Sequence, residues 1–338
     1  MLWAAMDEAS WHRLDVLQCP LGHFPDRLTF MQFRKDIWRP MIVEAPILQI
    51  AEAGTLDGLA TRWLPSAREL SFCADPFGLW KNGELHVFFE NFDYRTAHGT
   101  IGVHVLDDTM NVKDSRIVLK EPWHLSYPFV FEWDGDVWML PEACGSGAST
   151  LYRALSFPWI WEPAASITLD VVPIDATLLF AKGSWWMFYA PAGSNLERLT
   201  ELYLAQAPTP LGPWQPHPGN PFHTDPRGAR PGGTAFEMGR QVVLPLQDCR
   251  KSYGSGLKLL TIANLGEPSM SASAGPLLTP PPTAAFSDGF HTLSEAGPVT
   301  LVDVKRRTAS WKGMAMRPLR SMDRWLGSSV DPARPAWI

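Results

Sequence analysis

Between residues 70 and 305 the chain alternates short apolar runs with polar, glycine-bearing breaks, and one composite pattern returns four times. A polar residue opens an apolar run, a short turn containing glycine follows, and a second run, usually aromatic, closes the unit. The first copy reads Asp75-Pro-Phe-Gly-Leu-Trp80, turns at Asn82-Gly83 and continues as Leu85-His-Val-Phe-Phe-Glu90. The second runs from Tyr127-Pro-Phe-Val-Phe-Glu-Trp133 through Asp134-Gly135 to Val137-Trp-Met-Leu-Pro-Glu142. The third is Asp175-Ala-Thr-Leu-Leu-Phe180, Lys182-Gly183 and Trp185-Trp-Met-Phe-Tyr189. The fourth links Arg230-Pro-Gly-Gly-Thr-Ala-Phe236 through Met238-Gly239 to Val242-Val-Leu-Pro-Leu246. Short runs rich in Val, Phe, Trp and Tyr predict strands, and Asn-Gly or Asp-Gly supplies the positive φ of a tight turn. Each copy is therefore a predicted β-hairpin. Further strands are predicted at 150–154 and 201–205, and a fifth copy opens at His291 and closes through Val299-Thr-Leu-Val-Asp303.

The copies begin about 50 residues apart, the spacing of four-stranded propeller blades. An ordinary β-sandwich gives no reason for so regular a return. The predicted fold is all-β, a five-bladed β-propeller over 70–305, with residues 1–69 supplying closing strands and 306–338 forming a basic tail. In a propeller the first strand of each blade lines the central channel. Asp75, Tyr127, Asp175, Arg230 and His291 then converge from distant parts of the chain. Buried charges are unfavourable unless paired, so such a cluster is expected to be a site rather than core packing.

Composition sharpens this picture. The 16 Trp, 31 Pro and 26 Gly suit short strands and many turns. A net charge of −6 excludes a general nucleic-acid binder, which needs a basic surface. Cys19, Cys73, Cys144 and Cys249 match no metal spacing and read as scattered thiols. Neither a basic-then-apolar leader nor a run of 18 apolar residues is visible, so the expected location is the cytoplasm. Residues 304–325 carry seven basic residues against one acid, interleaved with Trp311, Met314, Met316, Leu319, Met322 and Trp325. That segment reads either as a closing strand with a solvated tail or as a weak contact with an anionic membrane surface.

Two resemblances follow from quoted residues. Ala74-Asp75-Pro76-Phe77 with its hairpin, and Leu211-Gly-Pro-Trp214, resemble family-43 glycoside hydrolases and related furanosidases. His124-Leu-Ser-Tyr-Pro-Phe-Val-Phe-Glu132, Asp175-Ala-Thr177, His217-Pro-Gly-Asn-Pro221, Ala229-Arg-Pro-Gly-Gly233, Gln247-Asp-Cys249 and Tyr253-Gly254 more closely resemble another group. This is the N-terminal propeller domain of plant glucosamine inositolphosphorylceramide transferases and its bacterial stand-alone relatives. The resemblance covers residues 70 to 305. It implies a five-bladed propeller handling a glycan or sugar phosphate in polysaccharide or glycolipid assembly, by glycosyl transfer or hydrolysis. It equally implies a non-catalytic glycan-binding module working beside a glycosyltransferase partner. In the hydrolases a first-blade Asp is the general base, a third-blade Asp tunes the acid, and a fourth-blade Glu is the acid. Asp75 and Asp175 match the first two as candidate catalytic residues, whereas Arg230 stands where the acid belongs.

An arginine donates no proton at neutral pH but grips carboxylates and phosphates through two parallel hydrogen bonds. Arg230 therefore reads either as a grip for an anionic ligand or as a partner of Asp75 or Asp175. Glu90 and Glu142, at the ends of second strands, are substitutes for the acid that the strand direction disfavours. The other candidate ligand-binding residues are Tyr127, Gln247, Asp248, Tyr253, Trp123 and His291. The residue types call for no cofactor. The hydrolase resemblance implies that a histidine in the place of His291 helps hold a water or a divalent ion, and a hydrogen-bonded core imidazole fits equally well.

Overall fold

The computed structural model describes residues 34–309 apart from 282 and 284, and the hairpin turns expected from the sequence organise it locally. Asn82 and Gly83 (φ +55° and +78°), Asp134 and Gly135 (+53° and +82°) and Lys182 and Gly183 (+52° and +76°) all take left-handed backbone in pairs. This is the two-residue turn whose twist matches the strands on either side.

The strands fall into five antiparallel sheets that follow one another along the chain. Strand β1 (Arg34–Val43) and β2 (Thr61–Trp63) come first, joined through a short helix at Ile47–Ala53. Blade one is β3 (Ser71–Lys81), β4 (Glu84–Asp93), β5 (His98–Leu106) and β6 (Val112–Leu119). Blade two is β7 (Ser126–Trp133), β8 (Asp136–Glu142), β9 (Ser149–Ser156) and β10 (Ile160–Ile167). Blade three is β11 (Pro173–Ala181), β12 (Ser184–Pro191), β13 (Glu201–Ala207) and β14 (Gln215–Pro216), with β15 (His223–Thr224) added beside β13. Blade four is β16 (Phe236–Met238), β17 (Gln241–Asp248), β18 (Gly256–Ala263) and β19 (Ser271–Leu277). The last sheet joins β20 (Gly289–Ala296) and β21 (Val299–Ala309) to β1 and β2. The ten-residue register from Arg34↔Ala309 to Val43↔Thr300 makes this blade from both ends of the described chain. The molecule is a five-bladed β-propeller, and this pairing closes the ring.

Apolar residues pack blade against blade. Phe77 of β3 meets Tyr127 of β7 edge-on at 4.7 Å, and the largest buried cluster runs from Phe77 and Phe88 through Met139 and Leu140 to Met187 and Ala205. Blades four and five touch more closely still. Gly233 has φ +137°, and a Cβ on it would lie 1.8 Å from the Leu293 carbonyl oxygen, so only glycine fits.

The end of the chain differs in part from the basic tail expected at 306. Strand β21 continues to Ala309, and Lys305 is fully buried, with its Nζ 3.2 Å from Asp36 and 4.9 Å from the Trp38 ring centre. That lysine belongs to the propeller interior and is withdrawn from any surface role. The tail beyond Ala309, the membrane contact read from it, and Cys19 all lie outside the described residues. Cys73, Cys144 and Cys249 are free thiols, and no described helix is long and apolar enough to cross a membrane.

One buried histidine yields a pH-dependent consequence. His104 of β5 is 3% exposed, stacks on Phe89 at 4.3 Å, and neither ring nitrogen has a hydrogen-bond partner among the described residues. Burial pushes its pKa down to about 4, below the 6.5 of a free imidazole. Its contribution to stability is thus complete above pH 6.5 and lost as pH falls towards 4. In His104→Phe that loss is absent. Urea titrations are expected to show the variant gaining about 2 kcal/mol on the native protein between pH 7 and pH 5. An unchanged difference would mean that the ring is not held neutral.

Candidate functional site

Four channel-lining strands carry the same irregularity at the same level. In β3 the residues Asp75 and Pro76 face a single residue of β4, because the register steps from Ala74↔Glu90 to Phe77↔Phe88. Equivalent bulges occur at Tyr127 and Pro128, at Asp175 and Ala176, and at His291 and Thr292. Asp75, Tyr127 and Asp175 have φ of +48°, +45° and +50°. Left-handed backbone is unfavourable for residues with a Cβ, and it persists where the surroundings over-determine it. The bulge turns four of the five predicted channel residues inward together.

At the meeting of blades one and five, these bulges form one hydrogen-bonded group. The Asp75 backbone N–H donates to Asp303 Oδ2 at 2.9 Å, and its carboxylate accepts the Tyr127 N–H at 3.3 Å and the Thr292 hydroxyl at 3.2 Å. His291 bridges two carboxylates, with Nε2 3.4 Å from Asp75 Oδ1 and Nδ1 2.7 Å from Asp303 Oδ1. Trp38 of β1 stacks on the imidazole with ring centres 3.7 Å apart, and half-buried Tyr253 stands edge-on to it at 5.5 Å. Burial raises the Asp75 carboxyl well above the usual carboxylate range, against the pull of His291. Burial works against a charged His291 ring, but Asp303 and Asp75 outweigh it and raise its pKa.

Ligand atoms of Asp75, His291 and Asp303 all lie within 4.8 Å of one another, which is the range of a cation site. Two ligands of one small cation nevertheless stand about 3 Å apart at bond lengths near 2.1 Å. The 2.7 Å contact between His291 Nδ1 and Asp303 Oδ1 is that of a charge-assisted hydrogen bond. It displays the hydrogen-bonded imidazole, and the same three residues are those grouped for a cation.

Across the channel, Arg230 closes on Asp175. Its Nε and Nη2 both donate to that carboxylate, the latter at 3.0 Å, and both side chains are at least nine-tenths buried. Burial raises the Asp175 carboxyl while the guanidinium pulls it back down. Gln247 adds a third donor, with Nε2 3.2 Å from Asp175 and 2.9 Å from the Pro231 carbonyl, and leaves its own Oε1 buried without a partner. The Arg230 guanidinium also lies over the Tyr253 ring at 5.5 Å. Of the two roles read for Arg230, the pairing role is the one these contacts display.

Tyr127 has its hydroxyl committed elsewhere. It accepts the Gly233 N–H at 2.8 Å and lies within hydrogen-bond distance of Thr177 Oγ1 and the Gly233 carbonyl, tying blade two to blades three and four. Asp248 faces away into a loop, accepting from Arg250 Nε at 2.8 Å and from the Arg250 N–H. Trp123 is half-buried against the main apolar cluster, and its indole nitrogen has no partner.

Glu90 and Glu142 are closer to the action than strand direction suggested. Both are buried, and the charges of Asp75, Glu142, Asp175 and Asp303 all raise the Glu90 carboxyl. The physical reason is that the faces of a blade turn towards its neighbours, so a side chain at the inner end of a second strand reaches the seam beside the channel. Glu142 accepts the Ser126 hydroxyl at 3.1 Å and the Cys144 N–H at 2.8 Å. Sequence reasoning missed three contributors: Trp38, Asp303 and Thr292. Trp38 carried no signal, because its strand joins the site only by closing the ring. Asp303 could have been suspected as the lone acid in the apolar run 299–304.

The group can accept hydrogen bonds far more readily than donate them. Asp75, Glu142 and the free Gln247 oxygen are buried acceptors, while the principal cation is already paired with Asp175.

Comparison with known proteins places this geometry in context. Residues 60–277 match the family profile described as "Glucosamine inositolphosphorylceramide transferase 1, N-terminal". The chain is 37% identical over 199 residues to glucosamine inositolphosphorylceramide transferase 1 of Oryza sativa subsp. indica, covering 58% of this chain and 27% of that protein. It is 33% identical over 201 residues to the Arabidopsis thaliana protein of the same name, covering 58% and 26%. The chain thus spans about a quarter of the length of the curated relatives that it matches. Among solved structures, a family 117 glycoside hydrolase of Zobellia galactanivorans shares the fold with a TM-score of 0.51 at 15% identity, covering 74% of this chain and 90% of its own. An α-L-arabinofuranosidase of Podospora anserina does so with a TM-score of 0.51 at 10% identity, covering 73% and 94%. The profile match takes in most of the propeller, and the chain belongs to the family of the glucosamine inositolphosphorylceramide transferase 1 N-terminal domain.

Proposed function

We propose that the channel is a carbohydrate site in which Asp75 acts as a base on a hydroxyl group, in the course of glycan or glycolipid assembly. The observation that carries this reading is the division of labour between the two aspartates. Asp175 is neutralised by Arg230, whereas Asp75 has no arginine or lysine within salt-bridge reach among the described residues and is backed by His291 and Asp303. A carboxylate so placed holds less tightly to its charge than a free one and accepts a proton more readily. The imidazole between two carboxylates keeps its orientation and can share the proton that Asp75 takes up.

The surplus of acceptors also bears on the ligand. A bound phosphate would meet the carboxyl groups of Asp75 and Glu142, and the fork that would grip it is closed on Asp175. Sugar hydroxyls, or an amino group, bring the donors that the site lacks. Family membership supports a carbohydrate role, since the curated relatives are glucosamine inositolphosphorylceramide transferases.

A second reading is favoured by the absence of a glutamate at Arg230. The propeller would then hold a glycan for a glycosyltransferase partner without itself breaking or making a bond. Asp75→Asn separates the two. On a panel of aryl furanosides and pyranosides the catalytic reading expects loss of turnover by about 10²-fold or more, with the melting temperature nearly unchanged. Full activity in that variant sinks the base assignment. Calorimetry that shows sugar binding without turnover favours the binding module. A sugar phosphate binding more than about tenfold tighter than its unphosphorylated sugar would overturn the ligand preference.

The pairing role of Arg230 has its own signature. Arg230→Met leaves Asp175 buried without a cation and is expected to lower stability by about 3–5 kcal/mol in urea titrations. Adding Asp175→Asn should recover a large part of that loss. An arginine kept only for ligand contact would leave stability untouched.

A further inference from the structure

One carboxyl group beside the channel plays no part in the chemistry assigned to Asp75. Glu90 is paired across the strands with Ala74, the neighbour of Asp75, and is 2% exposed. An ionised carboxylate so deeply placed requires a cation or several donors. Among the described residues Glu90 has neither. Its Oε1 has no hydrogen-bond partner, and the basic atom within salt-bridge reach is His124 Nε2, at 3.4 Å. That ring is not a cation. Its Nδ1 accepts the Gly99 N–H at 2.9 Å, which places the ring proton on Nε2, and burial drives its pKa down to about 3. The titratable groups that act on Glu90 most strongly are Asp75 of β3, Glu142 of β8, Asp175 of β11 and Asp303 of β21, with Cys73 of β3 and Tyr94 beside it. All are neutral or acidic side chains. Burial first, and then the four carboxylates, raise the Glu90 carboxyl well above its ordinary value.

We propose that Glu90 stands as a neutral carboxylic acid and is the proton donor of the channel, taking the part of the fourth-blade acid whose place Arg230 occupies. The proposal rests on reading the channel as a carbohydrate site with Asp75 as base. In the step it serves, the glycosidic C–O bond breaks with its electron pair going to the leaving oxygen, which takes the Glu90 proton. The oxygen of the incoming hydroxyl or water bonds to the anomeric carbon and gives its proton to Asp75. Return of that proton to Glu90 through solvent restores both groups. His124 is then a positioning residue, its Nε2 standing 3.4 Å from the carboxyl and its other nitrogen held by the Gly99 backbone.

Infrared spectroscopy of the whole protein at pH 8 tests the state of the acid without any ligand. A protonated-carboxyl C=O stretch is expected, absent from Glu90→Gln and retained in Asp75→Asn. A native spectrum without that band, or a Glu90→Gln spectrum that keeps it, overturns the proposal. Kinetics then test the donor role, using a 4-nitrophenyl glycoside, whose leaving group needs no proton, and the corresponding methyl glycoside. Glu90→Gln is expected to lose about 10²-fold or more on the methyl glycoside and little on the 4-nitrophenyl one. Equal losses on both substrates overturn the donor role while leaving Asp75 as base. A native protein that turns over neither glycoside overturns the catalytic reading and the donor role together, and the infrared band still reports whether the acid is neutral.

Discussion

A bulge that recurs in the innermost strand of four blades governs what this propeller presents at its centre. Inserting one residue into β3, β7, β11 and β20 reverses the normal alternation for a single step. Without it, the inward places would fall to the apolar neighbours of Asp75, Tyr127, Asp175 and His291. The left-handed backbone of three of these residues is unfavourable taken alone. It is held by contacts between blades: the Asp75 N–H on Asp303, the Tyr127 N–H on Asp75, and the Tyr127 hydroxyl on Gly233. Strain in one blade is therefore relieved by polar groups of the next. The same hydrogen bonds that close the ring shape the site.

Charge in the channel obeys a similar economy. Two of its buried carboxylates have defined partners of opposite or shared charge, Asp175 with Arg230 and Asp303 with His291. Glu142 is held by a hydroxyl and a backbone N–H instead. Asp75 is supported only by hydrogen bonds and an imidazole, and Glu90 by almost nothing. Groups so differently supported respond differently to protons, which is how one channel can hold both a base and an acid.

Trp38 and Lys305 show how far the site depends on ring closure. Trp38 lies on a strand at one end of the described chain, and Lys305 on a strand at the other. Their pairing brings an indole face onto His291 and buries an ammonium behind it, between Asp36 and the carbonyl of Tyr253. Opening this blade would remove the wall of the imidazole as well as the last seam of the propeller.

The hairpins, their spacing and the all-β architecture were legible in the sequence because they rest on local rules: runs of β-favouring residues and glycine turns that permit positive φ. The convergence of Asp75, Tyr127, Asp175, Arg230 and His291 followed from the repeat, since equivalent positions of a propeller share a level around the axis. Their partnerships did not. Whether Arg230 would grip a ligand or Asp175, and whether the Tyr127 hydroxyl would be free or tied to Gly233, depends on distances between blades that are far apart in the chain. Glu90 was undervalued for the same reason, because strand direction places a side chain on a face but says nothing of what the neighbouring blade brings against it. Local patterning determined the blades and which residues look inward, whereas the tertiary structure alone decided which of those charges are neutralised and which are left to act.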